Sequence, residues 1–273
     1  MKNDMGQDTH ESVIRIDYRM LMETAALAGE IMLENGAEAY RVEDTISRML
    51  YTAASISHAE TVVLSTSFVA TAAAVGMDPV TAARRIKSKG TNLNKICRVN
   101  QVSRDYCEGK ISLEEVWLSL QKIRREKLYS GKLNFLCMII IASSFTALLG
   151  GTAVDAAAAG FCGAVLELCL RAGRRTLLHS FIVEMCAAMV SSAAAIGFFH
   201  FLPAVRDADI IIIGTMMPLV PGVAVTNAAR DTLQGDFVSG CARILEAFVK
   251  AFSAALGVGI VIFLYRALSG GGL

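Results

Sequence analysis

The sequence predicts an α-helical integral membrane bundle of about five spans, preceded by a small cytosolic α+β domain. Of its 273 residues, 54% are hydrophobic and 19% are charged, whereas soluble domains are about 45–50% apolar and about 25% charged. The charges are also uneven, because 35 of the 51 charged residues lie within residues 1–132. A charged N-terminal half therefore precedes an apolar half, residues 133–273. This division excludes a single soluble domain, a disordered chain and a fibrous protein.

Five apolar stretches approach the length of about 20 residues that a membrane-spanning helix needs. They cover residues 134–151, 153–170, 181–202, 209–225 and 246–265. Lysine and arginine collect before the first stretch, after the second and after the fourth, and such residues mark the cytoplasmic side of a membrane. The pattern predicts a multi-pass protein of the cytoplasmic (inner) membrane with a cytosolic N-terminal domain and an external C-terminus.

The N-terminal half has the patterning of a compact α+β domain. Apolar residues at spacings of three and four from Tyr18 to Met32 predict an amphipathic helix that ends at Asn35-Gly36. Further helices are predicted at about 40–51, 93–107 and 113–129, the last beginning with a capping box. Between them, residues 61–86 predict a small antiparallel meander. A basic run is expected to be a solvated edge that discourages strand pairing, with contact to anionic lipid as the alternative. Its members are Arg84, Arg85, Lys87 and Lys89.

Two prolines interrupt the fourth span. Each proline lacks an N–H group and clashes with the carbonyl four residues earlier, so Pro218 and Pro221 free backbone groups in a segment that is barely long enough to cross. In lipid, such groups must be buried in protein or line a watery cavity. Gly222 follows the second proline, and together they predict a binding or gating element of the kind that transporters use. A merely kinked helix is the alternative.

Polar residues follow this interruption at helical spacing. Asn227, Arg230 and Asp231 fall at intervals of three and four, so on a helix they would share a face. Arg230 could bind a carboxylate bidentately, or it could pair with Asp231 or Asp236, and it also fits the cytoplasmic charge rule. Thr226 precedes this set by one residue.

Ionisable residues within spans are functional candidates. Glu184 lies about one turn inside the third span, where it could couple proton movement or form an ion pair. Glu167 is expected to pair with Arg171, and Glu246 with Lys250, because each pair is four residues apart. Asp155 is expected at a helix N-terminus.

Small residues recur every fourth position in three spans, which allows close approach of helices in lipid. They predict packing within the bundle, an oligomer interface, or both. The three rows are Ala156, Gly160 and Ala164; Ala187, Ser191 and Ala195; and Ala251, Ala255 and Gly259.

The sequence does not indicate an enzyme or a nucleic-acid-binding protein. The HExxH, GxSxG and P-loop motifs do not occur, and the four histidines are far apart in sequence, so neither an enzyme nor a metal or cofactor site is predicted. The net charge of +1 argues against nucleic-acid binding.

Three stretches resemble the threonine/serine exporter family (ThrE type). They are LENGAEAYRVEDTI at 33–46, LNKICRVNQVSRDYCEGKISLEEV at 93–116 and MPLVPGVAVTNAARDTLQGDFVSGCAR at 217–243. The chain is similar to the longer, YjjP-like subunit of the split YjjP–YjjB branch, and it lacks the second set of spans found in fused members.

The resemblance implies proton-driven export of a small carboxylate-bearing metabolite: threonine or serine in fused members, and succinate in the split branch. It also implies a second, YjjB-like membrane subunit, and a homo-oligomer is a further possibility. The matched membrane positions are Pro218, Pro221, Gly222, Thr226, Asn227, Arg230, Asp231, Gly235 and Asp236. The matched cytosolic positions are Glu38, Arg41 and Glu43, for which a structural role in ion pairs at a helix start is the alternative.

A function of another class is also compatible with the sequence. The chain could be a non-transporting membrane anchor or assembly factor whose cytosolic domain binds a ligand or partner.

Overall fold

In the computed structural model of the chain, residues 17–74, 76, 78–87, 90–126 and 129–269 are described. They form two compact units that divide between Arg125 and Glu126. Within the described residues, the N-terminal unit combines helices with a three-stranded sheet, whereas the regular elements of the C-terminal unit are all helices.

The N-terminal unit consists of two helices, three strands and two further helices. Its elements are α1 (Tyr18–Glu34), α2 (Ala39–Tyr51), β1 (Ile56–Leu64), β2 (Ser67–Ala74), β3 (Val80–Arg85), α3 (Leu93–Cys107) and α4 (Leu113–Arg125). The strands pair antiparallel in the order β1-β2-β3. The predicted meander is therefore confirmed, although β1 begins at Ile56, before the stretch that the sequence indicated.

The core of this unit forms around α1. Leu21, Ile31 and Met32 of this helix are fully buried, and they share one cluster with Phe68 of β2 and Leu120 of α4. Burial of each large apolar side chain contributes about 1.5–3 kcal/mol. The helical periodicity that predicted α1 thus corresponds to an inward face.

Two predictions about the edges of this unit need correction. Arg84 is not simply solvated, because its guanidinium forms an ion pair with Glu23 of α1. Helix α4 ends at Arg125 rather than near Tyr129. Arg85 and Lys87 are exposed as expected, whereas Lys89 lies outside the described residues.

The C-terminal unit is a bundle of long apolar helices. Its elements are α5 (Gly131–Leu148), α6 (Ala153–Gly173), α7 (Ser180–Phe201), α8 (Ala208–Met216), a 3-10 helix (Met217–Leu219), α9 (Gly222–Leu233) and α10 (Phe237–Ser269). Four of them, namely α5, α6, α7 and α10, are each long and apolar enough to cross a membrane. Helices α8 and α9 form a bent pair that passes the same test only together.

The α5–α6 hairpin shows how polar residues end these helices. Thr152 and Asp155 form a reciprocal capping box at the start of α6, which satisfies N–H groups that a helix leaves unbonded. Oδ1 of Asp155 also accepts a hydrogen bond of 2.9 Å from the backbone N–H of Arg206, in the loop before α8. The expectation that Asp155 marks a helix N-terminus is confirmed.

The rows of small residues have two different environments. Gly160 of α6 is buried, and an added Cβ there would lie 2.5 Å from Oγ of Ser143 on α5. Ala187, Ser191 and Ala195 of α7 are also fully buried, so the rows on these two helices pack within the chain. The row on α10 is exposed instead. It consists of Ala251, Ala255 and Gly259.

Helix α10 is much longer than the span predicted at 246–265. It has 33 residues, which at 1.5 Å per residue amounts to about 50 Å, whereas the hydrocarbon core of a bilayer is about 30 Å thick. Helix α10 therefore extends beyond a membrane that it crosses, and its additional residues include Arg243.

Candidate functional site

The break between α8 and α9 is the main irregularity of the membrane unit. The two helical segments, Ala208–Leu219 and Gly222–Leu233, meet at an angle of 55°. The sequence predicted a span over residues 209–225 that two prolines interrupt. The chain does change direction at Val220-Pro221, but it continues as a helix to Leu233, beyond the predicted end.

The backbone at the break forms two successive tight turns. The N–H of Val220 donates to the carbonyl of Met217 at 3.1 Å, which ends the 3-10 helix that contains Pro218. The N–H of Gly222 then donates to the carbonyl of Val220 at 2.9 Å, and Pro221 between them has φ −81° and ψ 53°. This geometry is an inverse γ-turn. Pro221 therefore redirects the chain, and it is the N-cap residue of α9.

An apolar groove of about 430 Å³ lies beside the break. One wall is formed by α8 and the break, including Met217, Val220 and Pro221, and the other wall is formed by α10. The side chains that line it are all apolar. The α10 wall contains Ala251, Ala254, Ala255, Val258 and Gly259, so it includes the exposed small-residue row. We call this feature the apolar groove.

Helices α9 and α10 form a hairpin that is closed by a buried ion pair. Oδ2 of Asp231 lies 2.8 Å from Nε of Arg243, and the two side chains are only 1% and 9% exposed. Gly240 lies nearby on α10, where an added Cβ would be 2.2 Å from Oγ1 of Thr232 and 3.2 Å from the carbonyl oxygen of Ala228. The absence of a side chain at Gly240 allows the helices to approach closely enough for the ion pair.

The predicted polar candidates on α9 are divided between two sides of the helix. Asn227 and Asp231 are buried, whereas Thr226 and Arg230 are exposed. The sequence placed Asn227, Arg230 and Asp231 on one face, and the structure corrects this for Arg230. The hydroxyl of Thr226 donates to the carbonyl of Gly222 at 2.9 Å. None of these side chains lines the apolar groove.

The remaining candidates of this segment have structural positions. Gly235 adopts φ +91° in the turn after α9, a conformation that favours glycine. The backbone N–H of Asp236 donates to the carbonyl of Asp231 at 2.9 Å, and the carbonyl of Asp236 accepts from the N–H of Gly240. Gly222 is exposed, and an added Cβ would meet no described atom within 4 Å. The chain's own packing therefore does not require glycine at position 222.

Glu184 of α7 faces α10. Its Oε2 accepts a hydrogen bond of 3.2 Å from the hydroxyl of Ser253, a fully buried residue. Close to this bond the helices nearly touch, since a Cβ added to Gly257 would lie 2.4 Å from the carbonyl oxygen of Met185. Glu184 thus belongs to the α7–α10 interface, and Lys250 pairs with Glu246 at 3.0 Å as expected.

A second carboxylate of the bundle is held by two arginines. Oε1 of Glu167 lies 2.7 Å from Nε of Arg171 and 3.0 Å from Nη2 of Arg174. Arg171 also donates to the carbonyl of Gly131 at the start of α5. The expected structural pair with Arg171 is confirmed, and the cluster joins the two ends of the α5–α6 hairpin.

The three candidates of the N-terminal unit lie at or near the start of α2. Glu38 precedes the helix, is almost fully buried and pairs with Nη1 of Arg41 at 3.2 Å. Oε1 of Glu43 accepts a hydrogen bond of 3.0 Å from the backbone N–H of Val63 on β1. Glu38 and Glu43 therefore fix the helix start and the sheet, whereas Arg41 also lines a polar groove.

Sequence reasoning missed several residues that shape the membrane site. Each of them contacts a residue of another helix, so a pattern within one helix does not indicate its role. They are Arg243, Ser253 and Gly240. Gly240 also lies outside the span predicted at 246–265, so no sequence pattern indicated its role. No group of three or more His, Cys, Asp or Glu residues that could hold a metal ion occurs among the described residues.

Long apolar helices, one of them interrupted beside a groove, define this chain as a multi-pass membrane protein. Comparison with families of known proteins then gives the particular assignment. Residues 23–265 match the family model ThrE, "Putative threonine/serine exporter", and this match covers most of the chain. The chain belongs to the threonine/serine exporter family, which is a family of transporters. No curated protein and no solved structure gave a significant match.

Proposed function

We propose that this chain is a subunit of a secondary transporter that exports small carboxylate-bearing metabolites. Threonine and serine are the first candidates because of the family, and a succinate-like dicarboxylate is the second. The observation that carries the proposal is the break at Val220-Pro221 within an apolar span, beside a groove between helices. Transporters commonly bind their substrates at such interruptions.

The start of α9 supports the choice of a carboxylate substrate. The first N–H groups of a helix lack partners within the helix, and its N-terminus carries a partial positive charge that favours anions. Helix α9 begins at Gly222, and the small residue leaves its first turn accessible. In the proposed site, the substrate carboxylate binds at this turn and Arg230 supplies further donors, whereas the hydroxyl of Thr226 donates to the substrate only by leaving the carbonyl of Gly222.

Proton coupling is assigned in the proposal to Glu184. A carboxyl group inside a membrane helix is costly unless it has a role or a partner, and the hydroxyl of Ser253 is its hydrogen-bond partner on α10. Ser253 can also donate to the carbonyl of Lys250, at 2.8 Å. The hydroxyl therefore has an alternative acceptor when Glu184 is protonated.

A second membrane subunit is part of the proposal. The apolar groove exposes small residues on α10, which would permit close approach of a helix from another subunit. If the bent pair crosses the membrane once, the chain has five spans, and a similar five-span partner would have inverted topology, a common arrangement in transporters. The proposed orientation puts the N-terminal unit in the cytosol and the C-terminus outside the cytoplasmic membrane.

Efflux of labelled substrate tests this function. Cells that express the chain with its small partner are preloaded with labelled threonine, serine or succinate, and release is measured in Pro221→Ala and Arg230→Ala variants. We expect both substitutions to abolish efflux of one substrate while the proteins still insert. Pro203→Ala and Arg266→Ala serve as matched controls, because both residues are exposed and neither lines the apolar groove.

Two results would contradict the proposal. Unchanged efflux in both variants would remove the break from the transport pathway. Absence of efflux for all three substrates, with both proteins inserted, would contradict export of these metabolites and favour the membrane-anchor function.

A further inference from the structure

We propose that a groove between α2 and α3 in the N-terminal unit is a binding site for a small oxyanion, a metabolite that carries carboxylate or phosphate groups. The groove has a volume of about 220 Å³. Its lining residues are Arg41, Asp44, Thr45 and Arg48 of α2, and Asn100, Ser103 and Arg104 of α3. We call it the arginine groove, and its assignment does not depend on the transport function proposed above.

The spacing of these residues shows that two polar helix faces meet. The α2 residues follow at intervals of three, one and three, and the α3 residues at intervals of three and one, so each set lies along one side of its helix. Thr45 and Ser103 are buried, with 6% exposure each, and form the floor. Arg48 and Arg104 are exposed at the rim, and Arg41 is half-buried.

Packed helices normally bury apolar side chains between them, and α2 and α3 do so only beneath the groove. Val42, Ile46 and Val99 are buried in the common core. Above them, the hydroxyl of Thr45 donates to the carbonyl of Arg41 at 2.8 Å and lies 3.5 Å from Oδ1 of Asn100. The hydroxyl of Thr45 therefore has acceptors within the chain, and the floor of the groove is polar rather than apolar.

The charges around the groove favour an anion, since three arginines meet two carboxylates, Asp44 in the lining and Glu38 outside it. Among the residues that the structure describes, Nη1 of Arg41 bonds to Glu38 at 3.2 Å, Nε of Arg48 to Asp44 at 2.8 Å, and Nη2 of Arg104 to Gln101 at 3.4 Å. Each guanidinium thus uses one nitrogen and retains donors on the other two. Such donors match the paired oxygens of carboxylate and phosphate.

The size of the groove limits the ligand further. Pockets for drug-sized ligands are about 300–1,000 Å³, so a volume near 220 Å³ suits a metabolite of a few carbon atoms or inorganic phosphate. Asn100 and Ser103 can bond to an additional polar group of the ligand. Residues from two stretches that are far apart in the sequence, 33–46 and 93–116, line the groove together.

Calorimetric titration of the purified full-length chain tests the site. The probes are succinate, L-threonine and inorganic phosphate, each at low ionic strength because rim arginines are screened by salt. We expect saturable binding of at least one probe, weakened about tenfold or more by Arg104→Gln and by Arg48→Gln. Arg19→Gln is the matched control, because Arg19 is an exposed arginine of α1 outside the groove.

The same titrations in an Arg230→Ala chain separate this site from a transport site. Binding that persists in Arg230→Ala and is weakened in Arg104→Gln supports the arginine groove, whether or not efflux is ever observed. Whichever probe binds identifies the oxyanion as a carboxylate or a phosphate. Binding that is lost in Arg230→Ala but unchanged in both groove variants overturns the inference. Absence of binding by all three probes also overturns it.

Discussion

The carboxylate of Asp231 on α9 lies 2.8 Å from Nε of Arg243 on α10, and both side chains are almost completely buried. Removing one partner of such a pair leaves an uncompensated charge, which costs about 3–5 kcal/mol, whereas replacing both with apolar residues is often neutral. We therefore expect Asp231→Leu and Arg243→Met each to destabilise the protein strongly, and the double variant to recover most of the loss. Thermal unfolding in detergent measures this.

The neighbouring pair of Lys250 and Glu246 provides the control for that experiment. Both side chains are at least one-third exposed, and a long lysine side chain near a span end can extend to the membrane surface. Lys250→Met should therefore change stability little. Equal effects of Lys250→Met and Arg243→Met would show that the burial of the Asp231–Arg243 pair has no energetic importance.

Gly240 should resist enlargement. A Cβ at this position would lie 2.2 Å from Oγ1 of Thr232 and 3.2 Å from the carbonyl oxygen of Ala228, on the helix that carries Asp231, so Thr232 must rotate away or the two helices must separate. Overpacking typically costs about 1–3 kcal/mol. We expect Gly240→Ala to lower the unfolding temperature in detergent. Gly259→Ala is the control, because an added Cβ there meets no described atom within 4 Å; an equal loss in both variants would contradict the close approach.

Larger residues in the apolar groove should affect assembly rather than folding. Ala255→Leu and Gly259→Leu would fill the α10 wall of the groove and exclude a helix of the proposed second subunit. We expect the amount of second subunit that copurifies to fall severalfold, while the chain itself inserts normally. Ala193→Leu on the exposed side of α7 is the matched control. Undiminished copurification in the groove variants would exclude the groove as the interface.

Glu184 should determine how efflux responds to pH. In the proposed mechanism its carboxyl group takes up and releases a proton while its hydrogen bond to Ser253 forms and breaks. Glu184→Gln retains the shape but does not titrate, so efflux should lose its dependence on external pH. Glu246→Gln removes a carboxylate from an exposed pair and should leave the pH profile intact. An unchanged profile in Glu184→Gln would remove this residue from the coupling pathway.

Features that depend on residues close together in the sequence could be predicted. Apolar periodicity identified α1, and the lack of an N–H group at Pro218 and Pro221 identified the interrupted span. Contacts between helices could not be predicted in the same way. Asp231 had plausible partners nearby in sequence, but Arg243 is its partner because Gly240 lets α10 approach α9. The ion pair of Arg84 with Glu23 was missed for a similar reason, since it joins a strand to a helix 61 residues away.

The length of α10 links the buried ion pair with Asp231 to the apolar groove. Arg243 lies near its start and Gly259 on the wall of the apolar groove, 16 residues apart on one unbroken helix, or about 24 Å. A continuous helix moves nearly as a rigid rod. Any rocking of α10 that widens the groove at Gly259 must therefore displace Arg243 as well, and the hairpin with α9 must tilt with it or lose its ion pair. The apolar groove and Asp231 on α9 are therefore mechanically coupled through α10.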